Sequence, residues 1–316
     1  MKKVSVIGAG NVGATAVYYI AEKNIADIVM LDVDASMAKN KAADFMHAAA
    51  LRSYTVRITG TGDYRELRGS DVVVITAGVP RKPGMDRMDL LKTNTAIVKD
   101  ISSRIAAYCP DAVVIVVTNP LDVITTVVLR ETGFALKKVV GMAGALDSTR
   151  FSYFIAEKLG VWPGDVMAMV LGGHGDDMVP LVNCTSVGGI PLPRLLDEAA
   201  IHEMVRRTRD GGGEIVRHLG TGSAFYAPGA SVAQMVDAVI KDDRKLIAAS
   251  AYLRGEYGYN DIFLGVPVIL GKNGVEKIIE IELTPDEKKS LDASAAAVRG
   301  GIAMLETFYS PGGAVK

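Results

Sequence analysis

The chain is short of the residues that build cross-links and metal centres. Only two of its 316 residues are cysteines, Cys109 and Cys184. They make neither a disulfide framework nor a zinc-ligand spacing, so they read as buried or free thiols in a reducing compartment. Histidine occurs four times, with no His-x-x-x-His or Cys-x-x-Cys pattern, so no metal is expected. An excess of one charge is also missing. Lys and Arg number 35 against 36 Asp and Glu, for a net charge of −1, which removes the electrostatic case for nucleic acid or an anionic membrane as partner. Long apolar runs are lacking too. The uncharged stretch after Lys3 is broken by Gly8, Gly10, Asn11 and Gly13, although Ala14 to Ala16 mimics a signal-peptidase site. A spanning helix needs about 20 mostly apolar residues, and the later runs, such as 71–78 and 112–118, are of strand length. We therefore expect a cytoplasmic, soluble protein. Repeats, linkers and low-complexity tracts are absent as well.

What is present is a large core-forming fraction: 49% of residues are hydrophobic and 22% charged. The first half alternates β-branched runs with helical stretches. KKVSVIG, DIVMLDV, VRITGTGD, DVVVITAG, AVVIVVTNP and KVVGMAG read as strands, with helices over 12–23 and 35–51. Consecutive hydrophobic positions predict strands buried on both faces, as in a parallel sheet covered by helices. The pattern changes near Asp147. A helix is expected over 147–159, one strand over 165–171 and a helix over 195–219. Gly211, Gly212 and Gly213 interrupt the latter, which implies close packing or a kink and no chemistry. Residues 245–283 read as antiparallel strands with turns at Gly255, Gly258 and Asn273-Gly274. Thr284-Pro-Asp-Glu287 fits a capping box opening a C-terminal helix to about Phe308.

GAGNVG, Gly8 to Gly13, matches G-x-G-x-x-G and lies between a strand and a helix, the context that gives this hexamer meaning. Gly8 permits a tight turn, Gly10 lets the backbone approach a pyrophosphate, and Gly13 lets helix and strand pack closely. Ala9, Asn11 and Val12 complete the cradle, whose helix N-terminus attracts phosphate. Asp32 ends the next strand, 32 − 13 = 19 residues past Gly13. A carboxylate there accepts bonds from ribose hydroxyls and repels a 2′-phosphate, which predicts NAD over NADP. The competing role, a helix cap, can fall to Asp34. The expected fold class is thus α/β: a Rossmann-type doubly wound parallel sheet over 1–145, followed by an α+β substrate domain over 146–316.

His47, His202 and His218 fall on helices and read as packed or surface residues. His174 differs, because Gly172, Gly173 and Gly175 surround it and let a ligand approach the ring. Two roles compete. With Asp176 and Asp177 it could bind a metal, for which further ligands are lacking. Alternatively it is a general acid/base whose tautomer a carboxylate fixes. Asp147 is the candidate partner, and Arg150, three residues on, shares its helix face. GVPRKPGMDRMDL, 78–90, follows a strand and carries Arg81, Lys82 and Arg87 on a Pro/Gly loop, which suits a mobile lid over an anionic substrate better than a solvated basic loop. Asn119 ends another strand and can point its amide into the crevice.

Taken together, GAGNVG, LD at 31–32, AGVPRKPGMDR, VTNPLD, GMAGALDSTRF, GGHGDDMVP and GSAFYAPGAS resemble the lactate/malate dehydrogenase family nearly end to end, and within it the lactate dehydrogenase-like malate dehydrogenases. The resemblance implies NAD-dependent oxidation of L-malate to oxaloacetate. It implies that His174 accepts the proton, Asp147 orients it, Arg150 clamps the carboxylate beside the reacting carbon, and Arg87 polarises the carbonyl. It further implies that Asn119 touches substrate and nicotinamide, and that Asn94 and Val117, Thr118 and Asn119 contact NAD. Arg81 stands where lactate dehydrogenases usually carry glutamine, and so suits the second carboxylate of a dicarboxylate. The alternative is a lactate or other 2-hydroxy-acid dehydrogenase. An NAD-sensing module without turnover leaves His174, Asp147 and Arg150 together unexplained, and a metal-dependent hydrolase predicts loss of activity on chelation. Family members are dimers or tetramers. Residues 39–50 depart from the family's GKALD-like pattern in a helix that helps form a subunit contact; a homo-oligomer is expected, tetramer favoured over dimer.

Overall fold

Valine and isoleucine runs without polar alternation set the architecture. In the computed structural model, which describes residues 2–80, 87–219 and 222–310, six strands align in parallel: β1 (Lys3–Ile7), β2 (Asp27–Leu31), β3 (Ile58–Thr61), β4 (Val72–Ile75), β5 (Val113–Val116) and β6 (Val139–Gly141). Helices α1 (Asn11–Lys23), α2 (Ala35–Arg52), α3 (Arg87–Tyr108) and α4 (Leu121–Thr132) connect them. Every residue of β4 and β5 is buried, because both faces of the sheet are covered. Alternate side chains divide between two cores. Val72, Val74, Val113 and Ile115 meet Ala16 and Ile20 on one face, while Val73, Ile75, Val114 and Val116 meet Val98, Ile101 and Ile124 on the other.

The second half follows as α5 (Gly144–Leu159), β7 (Val166–Met167), β8 (Val170–Leu171), β9 (Val179–Pro180), β10 (Ser186–Val187), β11 (Ile190–Pro191), α6 (Glu198–Leu219), α7 (Tyr226–Lys241), β12 (Lys245–Arg254), β13 (Asn260–Gly271), β14 (Gly274–Ile278) and α8 (Pro285–Glu306). Strands β12 to β14 extend the parallel sheet into nine strands in the order β14-β13-β12-β6-β5-β4-β1-β2-β3. The junction is antiparallel, with Ser250 opposite Gly141. This is the expected α/β class, a Rossmann-like sheet joined to an α+β second half. Among the described residues no helix is long and apolar enough to cross a membrane.

Three expectations need correction. Residues 165–171 are not one strand: β7 pairs with β10 and β8 with β9, so one sequence run serves two sheets. Helix α6 starts at Glu198 instead of Leu195, because a 3₁₀ turn occupies Leu192–Arg194 and the Asp197 carboxylate accepts the Ala200 N–H, supplying a cap. The basic segment is not loop throughout 78–90, since α3 begins at Arg87. The C-terminal capping box is present as expected: Thr284 Oγ1 accepts the Glu287 N–H and the Glu287 carboxylate accepts the Thr284 N–H.

Candidate active site

The cradle forms where β1 passes into α1. Gly8 turns the chain at φ +107°. A Cβ at Gly13 would lie 1.9 Å from the Gly8 carbonyl oxygen, so helix and turn touch there; at Gly10 nothing lies within 4 Å. The N-cap of α1 is Gly10, which has no side chain to satisfy the leading N–H groups. An open side, free donors and the positive helix end fit a pyrophosphate. Ala9 is buried, and Asn11 and Val12 open the helix. Asp32 Oδ2 accepts the Ala9 N–H at 2.7 Å and Oδ1 the Asp34 N–H at 3.0 Å. Capping of α2 falls to Asp34, which accepts the Met37 N–H. Lys41 donates to the Ala9 carbonyl at 2.6 Å.

Val117, Thr118 and Asn119 follow β5. Thr118 Oγ1 donates to Ala77 O at 2.7 Å. The Asn94 side chain, 1% exposed, accepts the Val79 N–H at 2.8 Å and donates to Val79 O at 3.2 Å and Asn119 O at 2.7 Å. Its amide therefore ties the two loops together by their backbones. Asn119 lines a cavity of about 450 Å³ together with Arg87, His174, Asp176, Asp177 and, from α8, Ser294, Val298 and Met304.

His174 follows β8 on a loop, and α5 supplies its partners. His174 Nδ1 pairs with Asp147 Oδ2 at 2.9 Å, leaving Nε2 as the other ring nitrogen. Burial pulls the imidazole pKa down, but the charge and hydrogen bond of Asp147 outweigh it, so it stays above the ordinary histidine value; Arg150 opposes and Asp122 adds. Arg150 Nη1 donates to Asp147 Oδ1 at 3.4 Å, and Arg150 Nε is buried without a hydrogen-bond partner among the described residues. Burial draws the guanidinium below the ordinary arginine range, against the pull of Asp147. A cation with an unused donor is prepared for an anionic ligand. The structure thus brings His174, Asp147 and Arg150 together, and Arg87 and Asn119 line the same cavity as His174. Arg81 lies outside the described residues. His47, His202 and His218 are exposed on helices. Among the described residues no group of three or more His, Cys, Asp or Glu is placed to hold a metal ion.

Two features escape a sequence reading. Gly211 and Gly212 do adjoin chemistry: a Cβ on Gly211 would sit 3.3 Å from Arg150 Cδ, and one on Gly212 3.8 Å from Arg150 Nη2. The close packing expected of these glycines is against Arg150, the side chain paired with Asp147. The second is Asp122, in the first turn of α4, whose carboxylate accepts the His174 backbone N–H at 3.0 Å. Its one signal is an acid inside the otherwise uncharged LDVITTVVL.

Known proteins resemble this chain in sequence and fold. Residues 2–141 match the model of the lactate/malate dehydrogenase NAD-binding domain, and residues 144–308 that of the family's α/β C-terminal domain. Malate dehydrogenase of Methanosarcina mazei is 53% identical over 306 residues, covering 97% of this chain and all of that protein. The crystal structure of Cryptosporidium parvum malate dehydrogenase superposes with a TM-score of 0.95 at 42% identity, over 97% of this chain and 99% of its own. The lactate dehydrogenase of the same organism, complexed with lactic acid and NAD, reaches 0.94 at 41%, over 98% and 99%. With both halves matched and relatives above half identity spanning nearly the full length, this chain belongs to the lactate/malate dehydrogenase family.

Proposed function

We propose that the chain is an NAD-dependent L-malate dehydrogenase, interconverting L-malate + NAD⁺ and oxaloacetate + NADH + H⁺. The observation that carries this reading is one buried carboxylate, Asp147, held 2.9 Å from His174 and 3.4 Å from Arg150. It orients a base and an anion clamp at once. NAD⁺ bound in the Gly8–Gly13 cradle would supply the hydride acceptor for C2 of malate. His174 takes the hydroxyl proton at Nε2, and Asp147 stabilises the imidazolium that forms. Arg150 pairs with the carboxylate beside C2, Arg87 polarises the C2 oxygen, and Asn119 orients the substrate between them. Gly8 to Gly13 hold the pyrophosphate, Asp32 takes the adenosine ribose, and Asn94 and Val117 to Asn119 shape the nicotinamide end. Arg81 is assigned to the distal carboxylate on its sequence position alone.

We assign residues 1–145 to cofactor binding and 146–316 to substrate and proton handling. The same reading places the enzyme in the cytoplasm, in the tricarboxylic acid cycle, as a homo-oligomer with a tetramer favoured over a dimer.

The test is NADH oxidation followed at 340 nm with oxaloacetate and with pyruvate. Pyruvate leaves the Arg81 guanidinium unpaired, so oxaloacetate is expected to win by at least about 10³-fold in kcat/KM. Arg81→Gln is expected to shrink that ratio by about 10²-fold, and an unchanged ratio removes the specificity argument. The likeness to a lactate dehydrogenase supplies the second reading, a lactate or other 2-hydroxy-acid dehydrogenase, which predicts pyruvate as the better substrate.

A further inference from the structure

A second buried carboxylate, unused in the scheme above, holds the loop that carries the base. Asp122 is 5% exposed and sits three residues after Asn119. Its Oδ2 accepts the His174 N–H at 3.0 Å, and its Oδ1 accepts the hydroxyl of Ser250 at 2.6 Å. Ser250 lies on β12 opposite Gly141, where the two halves of the nine-stranded sheet meet. The two preceding residues of the loop are fastened elsewhere. Gly172 exchanges backbone hydrogen bonds with Gly265 of β13 at 2.9 and 3.0 Å, and the Gly173 N–H donates to Ser294 Oγ of α8 at 2.8 Å. Three consecutive residues are therefore tied to three different elements. Only the tie at the imidazole-bearing residue comes from the helix whose preceding turn holds Asn119.

We infer that Asp122 is a positioning residue for proton transfer: it sets the His174 backbone against the Asn119 turn, and so fixes the reach of Nε2 to the substrate hydroxyl. This rests on His174 being the proton acceptor. Both Asp122 oxygens are engaged by hydrogen bonds, so the carboxyl acts through its bonding geometry. A carboxamide of the same shape preserves it, its oxygen accepting the His174 N–H and its NH₂ donating to the Ser250 oxygen. Alanine keeps neither bond and leaves a buried N–H without an acceptor.

The experiment uses the full chain, with oxaloacetate turnover at 340 nm and NADH affinity by fluorescence. Displacement of a reacting group by an ångström costs on the order of 10²-fold. Asp122→Ala is expected to lower kcat at least about 30-fold while KM for oxaloacetate and NADH affinity hold within about threefold. Asp122→Asn is expected to restore kcat to within about threefold of the parent. Should Asp122→Ala not fold, Ser250→Ala carries the test, with kcat expected to fall about 3- to 10-fold at unchanged NADH affinity. Parent-like kcat in Asp122→Ala or, in its place, Ser250→Ala overturns the inference. So does an Asp122→Asn variant as impaired as the alanine, or a loss of NADH affinity equal to the loss of kcat. His174→Asn serves as the control. If it still turns over, the underlying reading fails; if it is inactive while Asp122→Ala is fully active, only the role of Asp122 fails.

Discussion

At His174 burial and charge pull in opposite directions, and under the proposed mechanism the outcome sets the pH response. Burial disfavours the imidazolium, and Asp147 restores it beyond the ordinary value of 6.5. Under the proposed role of His174, oxaloacetate reduction would consume the protonated form, so kcat/KM in that direction is expected to hold at low pH and to fall as pH rises through the raised pKa. Malate oxidation needs the neutral form and gains over the same interval. Rate profiles in both directions check this, because kcat/KM reports the free enzyme; a midpoint below 6.5 contradicts the balance described. A second residue-scale expectation concerns Gly211, in a helix interior. Alanine there favours the helix by about 1 kcal/mol, yet its Cβ falls 3.3 Å from Arg150 Cδ and 3.6 Å from Phe154 Cε2. Gly211→Ala is therefore expected to keep or raise Tm while raising KM for oxaloacetate about 3- to 10-fold, a displaced carboxylate clamp costing roughly 1 kcal/mol of uniform binding. An unchanged KM means that the glycine gives no clearance that matters. His174, Asp147 and Arg150 were legible because glycines flank the first and helical spacing links the others. Asp122 and Gly211 were not, since each acts on a partner far away in sequence.

Among the elements, α8 joins stability to the site most directly. Its N-terminus is closed by Thr284 and Glu287, and Ser294, Val298 and Met304 reach the cavity wall. Thr284→Ala removes the cap of Glu287 N–H and is expected to cost about 1 kcal/mol, a fall in Tm of roughly 2 °C for a chain of this size. The cap lies at the far end of the helix from Met304, so kcat at room temperature is expected to stay put; thermal melts and assays on one preparation measure both. Legibility differed between elements for physical reasons. The capping box is local chemistry, and β4 and β5 are apolar at every position, so sequence alone placed them. Helix α7 is not among the elements expected from the sequence, and it contains Pro228 and Gly229 near its start. Pro228 stands in its first turn, where no backbone donor is needed, while the Gly229 N–H donates to the Phe225 carbonyl at 2.9 Å and Gly229 is small because Thr15 of α1 lies against it. The run 165–171 was misread because hydrophobicity marks a strand without marking its partner.

For the molecule as a whole, the two matched halves share more than a crevice. The continuous sheet crosses from β6 to β12. Ala16, Val17 and Ile20 of α1 lie in one core with Val232, Ala233 and Val236 of α7. The helix that presents the dinucleotide cradle is thus backed by a helix from the other end of the chain. Separating residues 1–145 from the rest would strip α7 from α1 and expose that apolar face to water, at about 25 cal/mol per Å². The proposed division at 145/146 is then one of chemical labour, with folding shared across it. Calorimetry of the full chain is expected to give a single cooperative transition, and the isolated 1–145 fragment to bind an apolar dye and melt without a sharp transition. Two resolved transitions in the full chain, or a fragment that melts cooperatively and binds NADH unaided, would mean that α7 contributes packing the cradle does not need.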